Sequence, residues 1–197
     1  VYSPNPIACG IPTQGDPILM DISLSSVAVN VCLQLHRRGE RLPGEYLLNA
    51  LGEPTDDPSV LFDKPTGSVL PLGGRDLGYK GFALGLMVEA MTSALSGFGR
   101  ADEPAGTSNA AFVLVIDPAA FGGRDAFLRE ATWLAQACAA SEPAGERPVR
   151  LPGQNALELR RRALAEGCLL SDPLMQDLAK LGSELGVAAP APIDARS

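Results

Sequence analysis

The sequence predicts a mixed α/β (α+β) fold, and three observations carry that prediction. Residues 18–24 and 110–116 are short apolar runs of strand character. Residues 84–95 carry apolar side chains at helical spacing. Strand-like and helix-like stretches intermix along the chain instead of segregating. Apolar residues make up 46% of the 197 and charged residues 20%, enough for one compact domain, with or without a small appendage, to bury a core. Sixteen Lys plus Arg against 23 Asp plus Glu leave a net charge of −7. That acidity argues against nucleic acid as a partner, because phosphate binding needs a basic field. No apolar run approaches the ~20 residues of a bilayer span, so no membrane partner is expected.

Each element follows from local pattern. From Ile18 to Leu24 the chain is apolar and then alternates, as a strand does. In residues 27–38, Val27, Val31, Cys32 and Leu35 share one helical face, and Arg37-Arg38-Gly39 supplies a stop. Residues 40–79 hold Pro43-Gly44, Pro54, Asp56-Asp57-Pro58 and Pro65, which predicts a long irregular loop with a covering or functional role. A helix is expected to begin after Gly78-Tyr79-Lys80-Gly81 and to bury a stripe of Leu84, Met87, Val88, Met91 and Leu95, with Gly97 and Gly99 ending it. The β-branched run 110–116 predicts a buried strand. Further helices are expected at 127–140, 155–166 and 172–185, the last capped by Ser171 with Pro173 in its first turn. Residues 147–153 should stay extended, because prolines bias their predecessors away from helix. The tail from Val187 is expected to fray. Cys9, Cys32, Cys138 and Cys168 stand far apart with no CxxC pair, which predicts buried free thiols, no metal site and a cytoplasmic location.

Three polar stretches are candidates for chemistry. Leu72-Gly73-Gly74-Arg75-Asp76-Leu77-Gly78-Tyr79-Lys80-Gly81 leads into a helix, where glycines admit a ligand closely, a helix start favours phosphate and Lys80 adds charge. The alternative is a loop whose glycines merely tighten a turn. GxGxxG and the phosphate-loop pattern GxxxxGK[ST] are both absent. Asp21, Ser23 and Ser25 alternate onto one face, with Ser26 beside them; they suit a ribose or amide, or equally a helix cap. Leu151-Pro152-Gly153-Gln154-Asn155 forms a third polar turn before a helix. The single histidine, His36, sits between a helix end and two arginines, which suits a solvated cap better than a general base. The lack of a second histidine and of a GxSxG elbow argues against a serine hydrolase.

In this order, these segments resemble the malate/L-lactate dehydrogenase family that lacks a Rossmann fold. The resemblance rests on Asn5-Pro6-Ile7-Ala8, Met20-Asp21-Ile22-Ser23-Leu24-Ser25 and Arg38-Gly39-Glu40-Arg41-Leu42-Pro43. It continues through Leu70-Pro71-Leu72-Gly73-Gly74, Gly78-Tyr79-Lys80-Gly81-Phe82-Ala83-Leu84 and Arg150-Leu151-Pro152-Gly153. It implies a cytoplasmic homodimer using NAD or NADP to interconvert a 2-oxo acid, or a cyclic imino acid, with its reduced partner. It also implies a cofactor domain on a mixed, mostly antiparallel sheet flanked by helices, spanning residues 1–150 and incomplete at its N-terminal side. Residues 151–197 would be a C-terminal helical segment packing on an absent N-terminal domain. Cofactor contacts are implied at Asp21, Ile22, Ser23, Ser25, Ser26, Tyr79, Lys80, Gly153, Gln154 and Asn155, and substrate contacts near Asn5 and Asn30.

The chain departs from that family in several places. Val29-Asn30 stands where the family usually has Arg-Gly, Leu33 where it often has glutamate, and Gln154 where the turn usually reads Pro-Gly-Glu. Loss of a guanidinium weakens a carboxylate grip that other side chains replace poorly. The family's catalytic histidine, with its serine and arginine partners, belongs to a region upstream of Asn5-Pro6-Ile7-Ala8 that has no counterpart here, and His36 does not match it. No catalytic residue is therefore expected within this chain, and the chain alone is expected to be inactive. The start at Val1-Tyr2 without methionine leads us to expect part of a longer protein. The alternative reading is a non-catalytic domain that binds a nucleotide or dimerises.

Overall fold

The computed structural model describes residues 5–103, 105, 109–188 and 190. The architecture is mixed α/β with small antiparallel sheets and five α-helices among the described residues. The chain forms two compact units, Val1–Ala135 and Gln136–Ser197.

In the first unit, β1 (Ile7–Ile11) and β2 (Ile18–Ile22) form an antiparallel ribbon in which Ala8 lies opposite Asp21. Helix α1 (Val29–Arg38) follows, ended by Gly39 in the left-handed conformation, and its last turn holds His36, Arg37 and Arg38 beside the negative end of the helix dipole. His36 is exposed and stacks on Phe62 at 4.8 Å, as a solvated cap should.

Residues 40–79 are not the irregular loop the sequence predicts. They fold into β3 (Leu47–Leu48), β4 (Pro54–Thr55) and β5 (Ser68–Val69), a three-stranded antiparallel sheet in the order β4-β3-β5. A 3-10 turn at Pro58–Leu61 is opened by the Asp57 carboxylate, which accepts from the Ser59 N–H at 2.9 Å. The backbone and side-chain bonds of Ser59 pull the Asp57 carboxyl below its usual range. Arg41 reaches Asp56 and Asp57, and Leu42 N–H donates to Asp56 O at 2.9 Å. Strands this short give almost no sequence signal. Punctuated by proline, they nevertheless bring Leu42 and Leu47 against Cys32 of α1 to make the core, ringed by Val27, Leu35, Tyr46, Val60, Leu61 and Val69. Each fully buried leucine contributes roughly 1.5–3 kcal/mol. Burial also raises the Cys32 thiol pKa, so Cys32 is an inert packing residue. The other three cysteines are exposed free thiols, contrary to expectation.

Helix α2 (Gly74–Glu89) corrects a second expectation, because it starts before Lys80 rather than after Gly81. Gly73 and Gly74, both at positive φ, turn the chain, and Gly74 N–H donates to Pro71 O at 2.9 Å. The buried residues of α2 are Gly78, Gly81 and Gly85. None of the predicted stripe Leu84, Met87, Val88, Met91 and Leu95 is buried, and Leu95 is 70% exposed. The reason is steric. A Cβ on Gly81 would lie 2.4 Å from Leu72 O and 2.6 Å from Leu72 N, and one on Gly78 would lie 2.8 Å from Pro71 Cγ. The helix therefore packs through its glycines, and its larger side chains point elsewhere. A π-helical turn at Ala90–Ala94 closes it, with Thr92 Oγ1 donating to Val88 O at 2.7 Å.

The run 110–116 is a third correction. Among the described residues it joins no ladder, and it is exposed throughout, Val113 at 81% and Val115 at 86%. Helix α3 (Arg124–Ala139) follows and buries only its small residues Ala131 and Ala135. Its Thr132 Oγ1 accepts from Gln14 N–H at 2.9 Å, tying α3 to the β1–β2 turn.

The second unit holds α4 (Gln154–Glu166) and α5 (Asp172–Leu185), with residues 147–150 lacking secondary structure before them. Ser171 occupies the cap position of α5, but its side chain makes no capping bond. Most of the tail expected to fray lies outside the described residues.

Candidate cofactor site

Leu72 is the joint of the site. Its N–H donates to Leu24 O at 2.9 Å and its carbonyl accepts from Gly81 N–H at 3.1 Å. One residue thus ties the Ser23–Ser26 stretch on one side to the turn of α2 bearing Tyr79 and Lys80 on the other. The tie is strengthened by Ser26 N–H to Leu70 O at 2.8 Å, Ser26 Oγ to Pro71 O at 2.8 Å, and a Ser25–Pro71 bridge. The glycine stripe makes the joint this close, because a side chain at Gly81 would occupy the space of the Leu72 backbone. The glycine-rich segment therefore serves helix packing and a turn.

The predicted serines are knitted together. Ser23 Oγ and Ser25 Oγ lie 3.1 Å apart, and Ser25 Oγ donates to Val27 O at 2.9 Å. With hydroxyl protons of Ser25 and Ser26 committed to carbonyls, these oxygens are left as acceptors toward anything outside. Asp21 ends up exposed near the end of β2, and its carboxylate has no partner among the described residues. Tyr79 is 65% exposed, and Lys80 Nζ lies 5.9 Å from its ring centroid, at the outer limit of a cation–π contact. Lys80 makes no ion pair among the described residues. Both residues sit in the second turn of α2, so Lys80 acts as a side-chain cation and not through the helix terminus. Asp76 in the first turn further disfavours an anion at the terminus itself.

Asn5 is 8% exposed with φ 46°, and its Nδ2 donates to Gly85 O at 3.2 Å and Glu89 Oε1 at 3.0 Å. Glu89 also accepts from Arg100 at 2.8 Å, and that bond first, with Asn5 adding, holds its carboxyl below the ordinary range. Glu89 escapes a sequence reading, since its partner Asn5 lies 84 residues away. Asn30 is exposed in the first turn of α1. In the second unit, Gly153 at φ 85° precedes α4 and its carbonyl accepts from Leu157 N–H at 2.9 Å. Gln154 Oε1 accepts from Leu151 N–H at 3.1 Å, so the side chain closes its own turn, and Asn155 stands exposed beside it. Among the described residues no cluster of His, Cys, Asp or Glu could hold a metal ion, and no helix is long and apolar enough to cross a membrane.

Among the described residues every strand pair is antiparallel, so the fold lies outside the Rossmann class, and solved malate/lactate dehydrogenases share it. The chain belongs to the malate/L-lactate dehydrogenase family, whose profile matches residues 1–179. It is 33% identical to an L-lactate dehydrogenase of Cupriavidus necator, over 91% of this chain and 52% of that protein. It is 37% identical to a (2R)-3-sulfolactate dehydrogenase (NADP(+)) of Chromohalobacter salexigens, over 82% of this chain and 47% of that protein. The crystal structure of malate dehydrogenase from Entamoeba histolytica shares the fold at a TM-score of 0.80 and 22% identity, covering 95% of this chain and 56% of that one. The chain spans about half the length of the curated relatives it matches.

Proposed function

We propose that this chain is the cofactor-binding part of an NAD(P)-dependent oxidoreductase that interconverts a 2-oxo acid, or a cyclic imino acid, with its 2-hydroxy or amino acid partner. The observation that carries the reading is a pair of charges, Asp21 and Lys80, unpartnered among the described residues and standing on two segments that Leu72 ties together. A dinucleotide needs that donor set: a cation for a phosphate, and a carboxylate with hydroxyl acceptors for sugar or amide protons. Lys80 would hold a phosphate, with Tyr79 offering a ring face beside it. Asp21 and the Ser23, Ser25 and Ser26 oxygens would meet the sugar. When bound, the nicotinamide supplies the hydride acceptor or donor.

The rest of the reading rests on family membership. The proton-transferring histidine, with its serine and arginine partners, belongs to polypeptide outside these residues, and residues 151–197 pack on that part. On the same ground we assign cofactor contacts to Gly153, Gln154 and Asn155 and substrate-side contacts to Asn5 and Asn30, and propose that the protein works as a cytoplasmic homodimer. NADP is favoured by the likeness to the NADP(+)-dependent (2R)-3-sulfolactate dehydrogenase of Chromohalobacter salexigens.

The test is a fluorescence titration of the complete protein with NADPH and NADH. Lys80→Ala should weaken binding about 10-fold, as expected for loss of one charge-assisted hydrogen bond. An unchanged dissociation constant for both nucleotides overturns the assignment.

A further inference from the structure

Among the described residues Asn5 alone is both polar and buried, and its φ of 46° is one that residues other than glycine seldom adopt. Its side chain closes on α2, the helix that bears Tyr79 and Lys80, through the bonds from Nδ2 to Gly85 O and Glu89 Oε1. Arg100 Nη2 donates to the same Glu89 oxygen at 2.8 Å. Ser93 adds a bond to that carboxylate from the π-helical turn that begins at Ala90. A left-handed backbone and a π-helical turn thus flank one carboxylate, and both features concentrate at functional sites.

The chemistry of its neighbours fixes which way the Asn5 amide faces. A main-chain carbonyl and a carboxylate only accept, so the two Nδ2 protons must point at Gly85 O and Glu89. Turned over, the amide would set its own oxygen against two acceptors. What the side chain offers to any further partner is therefore Oδ1, and a carbonyl oxygen can accept two bonds, so one already made leaves room for another. As an acceptor Asn5 can hold a hydroxyl, and it has nothing to donate to a keto oxygen or a carboxylate. A 2-hydroxy acid and its 2-oxo partner differ in this respect, since only the first carries a proton on its C2 oxygen.

We propose that Glu89 is a positioning residue: its carboxylate, balanced by Arg100, holds the Asn5 amide so that Oδ1 accepts from the 2-hydroxyl of the reduced substrate. Asn5 is then a contact specific to the hydroxy acid, and the oxo acid leaves it unused. The inference rests on the assignment of Asn5 to the substrate side, and so on the dehydrogenase reading.

Steady-state kinetics of the complete protein tests it, with three matched pairs of acids as probes: L-lactate and pyruvate, L-malate and oxaloacetate, 3-sulfolactate and 3-sulfopyruvate. Glu89→Ala should raise KM for the hydroxy acid ~10-fold, as loss of one hydrogen bond does, and KM for its oxo partner less than ~3-fold. Glu89→Gln, whose amide oxygen still accepts from Asn5, should bring KM for the hydroxy acid back to within ~3-fold of the parent. Asn5→Gly, which suits the positive φ and leaves the Glu89–Arg100 bond in place, should show the same selective rise as Glu89→Ala. The NADPH dissociation constant should be unchanged throughout. Equal rises for both acids of a pair, or a loss confined to kcat, make the contact purely architectural and overturn the proposal. A parent protein that turns over none of the pairs overturns the hydroxy-acid reading, and this inference with it.

Discussion

Two regions of the first unit hold its lesson: the segment 40–72, dense in proline and glycine, and the run 110–116, the most apolar stretch of the chain. The first carries the core, with Leu42, Leu47 and Leu70 all buried. The second is left in solvent. Apolar content therefore does not locate a core by itself; a core also needs backbone partners. Residues 40–72 provide their own, through β3, β4 and β5 and the bonds from Leu42 to Asp56 and from Leu70 to Tyr46. Residues 110–116 have no such partners among the described residues.

The contrast is breakable by mutation, beginning with its largest expected effect. Leu47 is fully buried, so Leu47→Ala should cost about 2–5 kcal/mol by urea denaturation. Val115 is 86% exposed, so Val115→Ala should cost under ~0.5 kcal/mol. Equal losses at Leu47 and Val115 in the 197-residue chain would erase the distinction.

Next in size is Gly81→Ala. Its methyl would collide with the Leu72 backbone, which cannot move without breaking its bond to Leu24. We expect a loss of about 2–3 kcal/mol, read as a lower Tm. Gly74→Ala, with nothing within 4 Å, is the control. It should show only the smaller cost of a side chain at φ 63°. A harmless Gly81→Ala would mean that α2 does not lean on Leu72.

The smallest effect concerns Glu89. Its carboxyl is held below the ordinary range by Arg100 and Asn5. Its contribution is thus present above the unfolded carboxylate pKa and lost as pH falls through the lower folded value. Glu89→Gln should cost about 1 kcal/mol at pH 7 and shrink the acid-side loss of stability. A variant whose stability still falls as steeply as the parent's below pH 4 would remove Glu89 from that balance.

Helices α1, α3, α4 and α5 and strand β2 were legible in the sequence, because each has a period or a stop signal of its own. The start of α2 was not, since Gly73-Gly74 and Gly78 look like loop while serving as a turn and a packing face. The short strands β3 to β5 were illegible for a different reason: two residues carry no period, and long-range pairing alone defines them. At the candidate site, Asp21, the serines, Tyr79 and Lys80 could be picked out by residue type. Leu72, which joins them, could not, because it acts through its backbone.

The glycine stripe of α2 also bears on how such a protein can diversify. Gly78, Gly81 and Gly85 are its buried residues; a side chain at Gly81 would have to move the Leu72 backbone, and one at Gly78 the Pro71 ring. Substitution along this helix is thereby channelled to its outward positions, Tyr79 and Lys80 among them. The stripe can drift little, while side chains one residue away can change without disturbing the packing.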